Sequence, residues 1–240
     1  MKRVVVITGG AGGIGQACVQ KFYQEDMVII LDVNKEAIKQ CIEKYNVNGF
    51  VVDLSHIESI QETIQKIIKK YKKIDVLVQT AGIMKNSPAL EVKPYDFKKM
   101  MEINVESMFF VMQETVKQSM QKFGGVILNF ASEAAIRGFA GTMASVHYSA
   151  SKGAVIAMSR QLAVEWGQYN IRVNSIAPGG VMTPAMASLD FDEDFTIIPL
   201  KRLSTPEEIA ETVSFLCSEQ AKMITGQNIV VDGGCAAVGC

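Results

Sequence analysis

The sequence predicts a doubly wound α/β protein, built on one parallel sheet with helices on both faces. Three observations carry that expectation: seven short apolar runs, longer amphipathic stretches between them, and a glycine-rich turn directly after the first run. The runs are VVVI from Val4, VIIL from Val28, FVV from Phe50, VLV from Val76, VIL from Val126, VNSIA from Val173 and IVV from Ile229. Runs that are apolar throughout, rather than alternating, belong to strands covered on both faces, as in a parallel sheet. After the third run, Ile57, Ile60, Ile64, Ile67 and Tyr71 recur at helical spacing among polar residues and mark a one-sided helix. Lys66, Lys69, Lys70, Lys72 and Lys73 close it, where positive charge complements the helix dipole, so this cluster reads as a solvated face.

Composition sets the outer bounds. A chain of 240 residues with formal net charge -1 and 48 % apolar residues suits a single globular domain with a full core. Balanced charge leaves no electrostatic footprint for nucleic acid or an anionic membrane surface. No run approaches the ~20 apolar residues of a membrane span. The opening MKRVVVITGG passes into a glycine turn too soon for a signal segment, so a cytoplasmic, soluble protein is expected. Cysteines at positions 18, 41, 217, 235 and 240 show neither metal-site spacing nor a disulfide framework. They read as reduced thiols, with Cys235 and Cys240 in a flexible small-residue tail. The stretch from Pro184 to Pro199 follows neither period, and residues 184–205 are expected to form a substrate loop or lid.

The turn from Thr8 to Gly15 reads TGGAGGIG and leads into the helical QACVQKFYQ. Glycines there let the backbone approach a pyrophosphate, while a helix N-terminus supplies unpaired N–H groups and positive potential. A merely tight strand-to-helix connection would use the same residues. A phosphate-hydrolysing loop is disfavoured, because no Gly-Lys-Ser/Thr follows. Asp32, ending the second run, stands where a carboxylate accepts hydrogen bonds from an adenosine ribose and repels a 2′-phosphate. Capping of the next helix by Asp32 or Asn34 is the plainer use. Gly12 and Val33 offer no cation for a 2′-phosphate, so the expected cofactor is NAD(H).

Further pieces fall in order along nearly the whole chain: TGxxxGxG as Thr8, Gly9, Gly13 and Gly15, Asp53 after the third run, Ala81 and Gly82 after the fourth, and Asn104 within a helix. Ser132 ends VILNFAS, Tyr148 and Lys152 form a YxxxK pair, and APGGVMT runs from Ala177 to Thr183. Together they resemble the short-chain dehydrogenase/reductase family, including its 3-oxoacyl-carrier-protein reductases and its polyol, sugar and hydroxysteroid dehydrogenases. The resemblance implies a Rossmann-type fold and a catalytic set of Asn104, Ser132, Tyr148 and Lys152. It implies a cofactor site of Thr8, Gly9, Gly13, Ile14, Gly15, Asp32, Asp53, Leu54, Ala81, Gly82, Tyr148, Lys152, Pro178, Gly179, Val181 and Thr183. It also implies self-association, as a homotetramer or homodimer, through the helices after strands four and five.

Tyr148 and Lys152 are neighbours at i and i+4 on a helix. A free phenol has a pKa of ~10, and an ammonium ~4 Å away at an effective dielectric of ~20 favours phenolate by about 4 kcal/mol, or about 3 pKa units. Tyr148 is thereby expected to act as general base toward an alcohol, or general acid toward a ketone, near neutrality. Ser132 would hold the reacting oxygen. Asn104 shares a stripe with Phe97, Met101, Met108 and Val111, which points to a buried carboxamide that needs partners. The family pattern gives it a water-held proton relay from Lys152 to solvent; a structural asparagine bonded to backbone is the alternative. His147 is expected to be a non-catalytic helix-start residue.

Three departures from the pattern bear on the substrate. QTAG, Gln79 to Gly82, replaces the usual Asn-Asn-Ala-Gly, the interval from Ser132 to Tyr148 is long, with extra residues in FAGTMASVH, and the loop after Thr183 carries LDFDEDF. Where carrier-linked reductases present basic docking residues, this chain aligns Phe123, Val164 and Tyr169. A small free ketone or secondary alcohol is the expected substrate, with the carrier-linked 3-oxoacyl reductase second. A protein that senses NAD(H) without turnover is a distant third, since it would have no use for the tyrosine and lysine.

Overall fold

The seven apolar runs become one parallel sheet in the computed structural model, which describes residues 2–187 and 195–238. The strands are β1 (Val4–Thr8), β2 (Met27–Asp32), β3 (Asn48–Val51), β4 (Val76–Gln79), β5 (Gly125–Phe130), β6 (Ile171–Pro178) and β7 (Asn228–Val231). Their order is β3-β2-β1-β4-β5-β6-β7. Strand order reverses between β1 and β4, and such a switch point opens a crevice beyond the strand C-termini. The helices are α1 (Gly13–Phe22), α2 (Lys35–Tyr45), α3 (Ile57–Tyr71), α4 (Pro94–Met101), α5 (Ser107–Thr115), α6 (Gln121–Phe123), α7 (Val146–Trp166), α8 (Pro184–Ala187) and α9 (Pro206–Leu216).

Alternation along β1 builds both halves of the core. Val4 and Val6 face the cluster supplied by α3, α5 and α7, while Val5 and Ile7 face the cluster supplied by α1, α2 and α9. Each such side chain contributes roughly 1.5–3 kcal/mol through burial, which explains why no position of this strand is polar before Thr8. In α3, Ile60, Ile64 and Ile67 are buried as the helical spacing requires. The outer strands depart from the expectation of full burial. β3 pairs from Asn48, two residues before the apolar run, and Val51 is 55 % exposed. β7 likewise leaves Val230 partly exposed, because an edge strand has a neighbour on one side only.

The chain widens into π-turns at Glu102–Glu106 and Val116–Met120, on either side of α5. The first changes the expected stripe: Met100, Asn104 and Met108 point inward, whereas Phe97 is 41 % exposed and Met101 only partly buried. Spacing of four residues per inward position suits a turn wider than an α-turn, and such bulges are frequent at functional sites. Among the described residues no helix is long and apolar enough to cross a membrane. Asp190, Asp192, Glu193 and Asp194 of the expected lid, and Cys240, lie outside the described residues. The far end of that segment pairs with the chain beyond β6, where Ser204 N donates to Gly180 O at 3.0 Å and Met182 N to Ser204 O at 2.8 Å.

Candidate active site

β1 ends at Thr8, and the chain turns through Gly9 at φ 66°. A Cβ on Gly15 would lie 2.1 Å from Gly9 O, so the turn closes only on glycine. No side chain caps the first N–H groups of α1 and no acidic residue stands in its first turn, which leaves its positive end open. This end faces a cleft of about 950 Å³ that is also lined by Asp32, Asp53, Leu54, Ala81, Gly82 and Thr183. The glycine cradle and the open helix end fit a dinucleotide pyrophosphate.

Asp32 accepts hydrogen bonds from Ala11 N at 3.1 Å and Asn34 N at 3.0 Å, so its carboxylate is tied to the glycine turn. Capping of α2 falls to Asn34, whose side chain accepts from Ala37 N at 3.1 Å. Of the two capping residues that the sequence offered, the structure uses Asn34. Asp53 accepts from Ser55, which holds its carboxyl below the usual range. Lys98 and Lys99 also line the cleft, with Lys99 near Asp53. The sequence offered no cation at Gly12 or Val33, whereas α4 brings these two lysines to the cleft from a distant part of the chain.

The altered QTAG stretch keeps its strand end tied by other bonds. Buried Gln79 turns inward and donates to Met108 O at 3.2 Å and Asn129 Oδ1 at 3.0 Å. Thr80 Oγ1 donates to Thr8 O at 2.7 Å, and Thr8 Oγ1 accepts from Ala81 N at 3.4 Å. Beyond Pro178, Gly179 N donates to Val231 O at 3.0 Å. Val181 bridges to Ser204, and a Cβ on Gly13 would meet Thr183 Cγ2 at 2.9 Å, so this segment closes against the start of α1.

Ser132 leaves β5 and accepts from Ala134 N at 3.2 Å. The Tyr148 phenol, on the first turn of α7, lies within hydrogen-bonding reach of the Ser132 side chain. Lys152 is buried on the same helix, with Nζ 5.7 Å from the Tyr148 ring centroid, and donates to Phe130 O at 2.7 Å. The electrostatics differ from the sequence expectation. Burial pushes the Tyr148 phenol above its ordinary value, the Ser132 bond opposes this, and the Glu133 carboxyl adds to it. Lys152 itself is lowered by burial to about 8. The lysine stem reaches past the phenol to a strand-end carbonyl, so desolvation outweighs the attraction expected at ~4 Å.

Asn104 is fully buried and clasps the chain after β4: its Oδ1 accepts from Ile83 N at 2.8 Å, and Nδ2 donates to Ile83 O at 2.9 Å and Ser151 Oγ at 3.1 Å. A Cβ on Gly82 would come 3.1 Å from Asn104 Oδ1 and 3.5 Å from Lys152 Nζ. Glycine here lets the carboxamide and the ammonium pack against the same stretch of backbone after β4, while neither side chain lines the cleft itself. His147 is buried with neither ring nitrogen hydrogen-bonded. The extra residues before Tyr148 dock on the loop after β4, where Ser87 N donates to Ala144 O at 2.8 Å and Ser145 Oγ to Lys85 O at 2.7 Å. Cys235 is not in a loose tail. It is 7 % exposed and packed against Arg137, because Gly233 and Gly234, at φ 65° and 89°, turn the chain back.

A family model described as enoyl-(acyl carrier protein) reductase matches residues 9–236. The chain is 35 % identical to a 3-oxoacyl-[acyl-carrier-protein] reductase of Thermotoga maritima, with 97 % of each chain covered. It is 34 % identical to an NAD-dependent glycerol dehydrogenase of Listeria innocua, covering 97 % of this chain and 93 % of that one. The solved structure of ElxO with NADP bound is similar at 33 % identity and a TM-score of 0.92, over 99 % of this chain and 100 % of that one. A 3-ketoacyl-(acyl-carrier-protein) reductase from Brucella melitensis complexed with NADH is similar at 28 % identity and a TM-score of 0.90, over 98 % of each. The chain belongs to the short-chain dehydrogenase/reductase family, and it is an oxidoreductase.

Proposed function

We propose that the protein interconverts a small free secondary alcohol and its ketone, with NAD(H) as cofactor and Tyr148 as general acid and base. The observation that carries this reading is the Tyr148 phenol within reach of the Ser132 hydroxyl, with buried Lys152 one helical turn on. The dinucleotide supplies hydride exchange when bound. In oxidation Tyr148, as phenolate, takes the alcohol O–H proton while the carbinol hydrogen departs as hydride; in reduction the phenol returns that proton to the carbonyl oxygen. Ser132 donates a hydrogen bond to the same oxygen and fixes its position. Lys152, anchored on Phe130 O one helical turn from Tyr148, holds the nicotinamide ribose. Asn104 keeps Gly82 and Ile83 against Lys152. The turn from Thr8 to Gly15 and Thr183 hold the pyrophosphate, Asp32 the adenosine ribose, Asp53 and Leu54 the adenosine end, and Ala81, Gly82, Pro178, Gly179 and Val181 the nicotinamide end. Self-association would use the α5 and α7 faces.

Asp32 supports NAD(H) over NADP(H), since a carboxylate facing a 2′-phosphate is a like-charge clash. NADH is expected to be preferred by at least about tenfold, equivalent to ~1.4 kcal/mol, and Asp32→Ser to relax that preference. Steady-state kinetics with both cofactors check it: equal use by the wild type, or an unchanged ratio in the variant, sinks the assignment.

The similarity to the Thermotoga maritima enzyme favours a second reading, reduction of a 3-oxoacyl group on its carrier. Against it, Phe123 and Val164 present exposed apolar side chains where basic docking residues would stand. Attaching the 3-oxoacyl group to its acidic carrier is therefore expected to bring little gain in kcat/KM over a small thioester. A docking enzyme would show a large gain that shrinks with added salt, because screening removes steering. Both substrates measured at low and high salt separate the two readings.

A further inference from the structure

Helix α4 turns one face to the dinucleotide cleft. Tyr95, Lys98, Lys99 and, where the π-turn begins, Glu102 all line it, at the i, i+3, i+4 and i+7 spacing of a single helical stripe. Both lysines are exposed, and among the described residues neither takes part in a hydrogen bond or an ion pair. The partner closest at hand is occupied: Asp96, three residues ahead of Lys99, holds Lys85 at 2.8 Å and does not line the cleft. Glu102 follows Lys98 by four residues, the weaker order for a helical ion pair, and no bond joins the two. Lys99 Nζ instead lies 5.9 Å from the centroid of the Tyr95 ring, which is itself 70 % exposed.

The cleft needs these cations because carboxylates line it too. Asp32, Asp53 and Glu102 face the same space, the first fixed by the N–H groups of Ala11 and Asn34 and the second by Ser55. Without the lysines, these three would confront a ligand whose pyrophosphate carries two negative charges. The open end of α1 offsets only about half an elementary charge. We propose that Lys98 and Lys99 are the steering residues of the dinucleotide site: their charges draw the anionic cofactor into a cleft that carboxylates would otherwise make repulsive, and they favour its reduced form. This rests on the reading of the cleft as a dinucleotide site. The reduced dinucleotide keeps both pyrophosphate charges, whereas the oxidised one cancels one of them on its nicotinamide ring. Coulomb energy scales with the net charge of the ligand, so the stripe acts about twice as strongly on NADH as on NAD+. A charge at the rim of a site changes the association rate and its salt dependence, and leaves dissociation nearly as it was.

The test is binding of the cofactor alone to the full chain, with NADH association and dissociation read by stopped-flow fluorescence and NAD+ affinity by calorimetry. In the double variant Lys98→Gln, Lys99→Gln, the NADH association rate is expected to fall roughly threefold to tenfold at low salt. The deficit should close near 1 M salt, where the screening length drops to about 3 Å. NAD+ should lose only about the square root of that factor in affinity, since it carries half the net charge. Lys98→Arg, Lys99→Arg keeps both charges and is expected to keep the wild-type rate. An association rate unchanged in the glutamine variant overturns the proposal. So does a loss that persists at high salt, sits in the dissociation rate and is equal for NADH and NAD+, which is the mark of a direct bond to the ligand. Failure of the reading beneath it looks different: the wild type itself would bind neither form of the dinucleotide at any salt concentration, and the proposal would fall with it.

Discussion

Tyr148→Phe is expected to lose turnover by a factor of about 10² or more, with NADH affinity and fold retained. The ring keeps its packing on α7, and only the hydroxyl beside Ser132 goes. Removing the hydroxyl from reach of Ser132 costs at most roughly 0.5–1.5 kcal/mol of stability, whereas a hundredfold fall in rate corresponds to ~2.7 kcal/mol on the barrier. Steady-state turnover together with NADH fluorescence titration separates the two losses, and wild-type turnover in the variant would falsify the role. The raised phenol pKa gives the direction of the pH dependence. A phenol that holds its proton more firmly is a ready acid at neutral pH and becomes a base only as pH rises. Ketone reduction is therefore expected to run near neutrality, and alcohol oxidation to climb toward alkaline pH.

The strands were legible because both faces of a parallel sheet demand apolar residues. Val4 to Ile7 could serve no other element so well, and the glycine turn after Thr8 announces its own geometry. Less legible was anything decided by neighbours distant in sequence. β3 begins at Asn48 because the end of β2 offers it a ladder, not because of its side chains. Phe97 and Met101 carry an apolar pattern indistinguishable from a core stripe, and only the π-turn at Glu102–Glu106 moves Met100 inward instead.

At the site, residue types at fixed spacing were readable and their charges were not. The YxxxK spacing does put Lys152 beside Tyr148, yet the ammonium spends its hydrogen bond on Phe130 O, and burial reverses the expected direction for the phenol. Glu133 and Arg137 drew no reading from the sequence and Cys235 reads there as a tail thiol, because the three are adjacent only after the C-terminal segment folds back through Gly233 and Gly234. The one sequence signal for them was a glutamate following directly on Ser132, and a glutamate at the start of a short turn has plainer uses.

Lys152→Met is expected to make the protein more stable at neutral pH while it loses about 10² or more in turnover. Burial lowers Lys152 from 10.5 to about 8, and a shift of that size is worth about 3 kcal/mol. Below pH 8 both states hold the proton, so the folded state carries the full cost of a buried ammonium. From about 8 to 10.5 the unfolded chain binds a proton that the folded protein has released, and stability rises with pH across that window. Methionine fills a similar volume without charge and removes the penalty, less the bond to Phe130 O. A net gain of roughly 1–2 kcal/mol at pH 7 is left, or about 2–8 °C in Tm for a chain of this length. The gain should shrink as pH rises and be gone by about 10.5, because neutral lysine carries no such cost. Thermal unfolding of both proteins at pH 7 and pH 10, paired with turnover at pH 7, reads all three effects. A variant less stable than wild type by the same amount at both pH values would mean that the ammonium is held without cost, and that burial is not what brings Lys152 within reach of neutral pH.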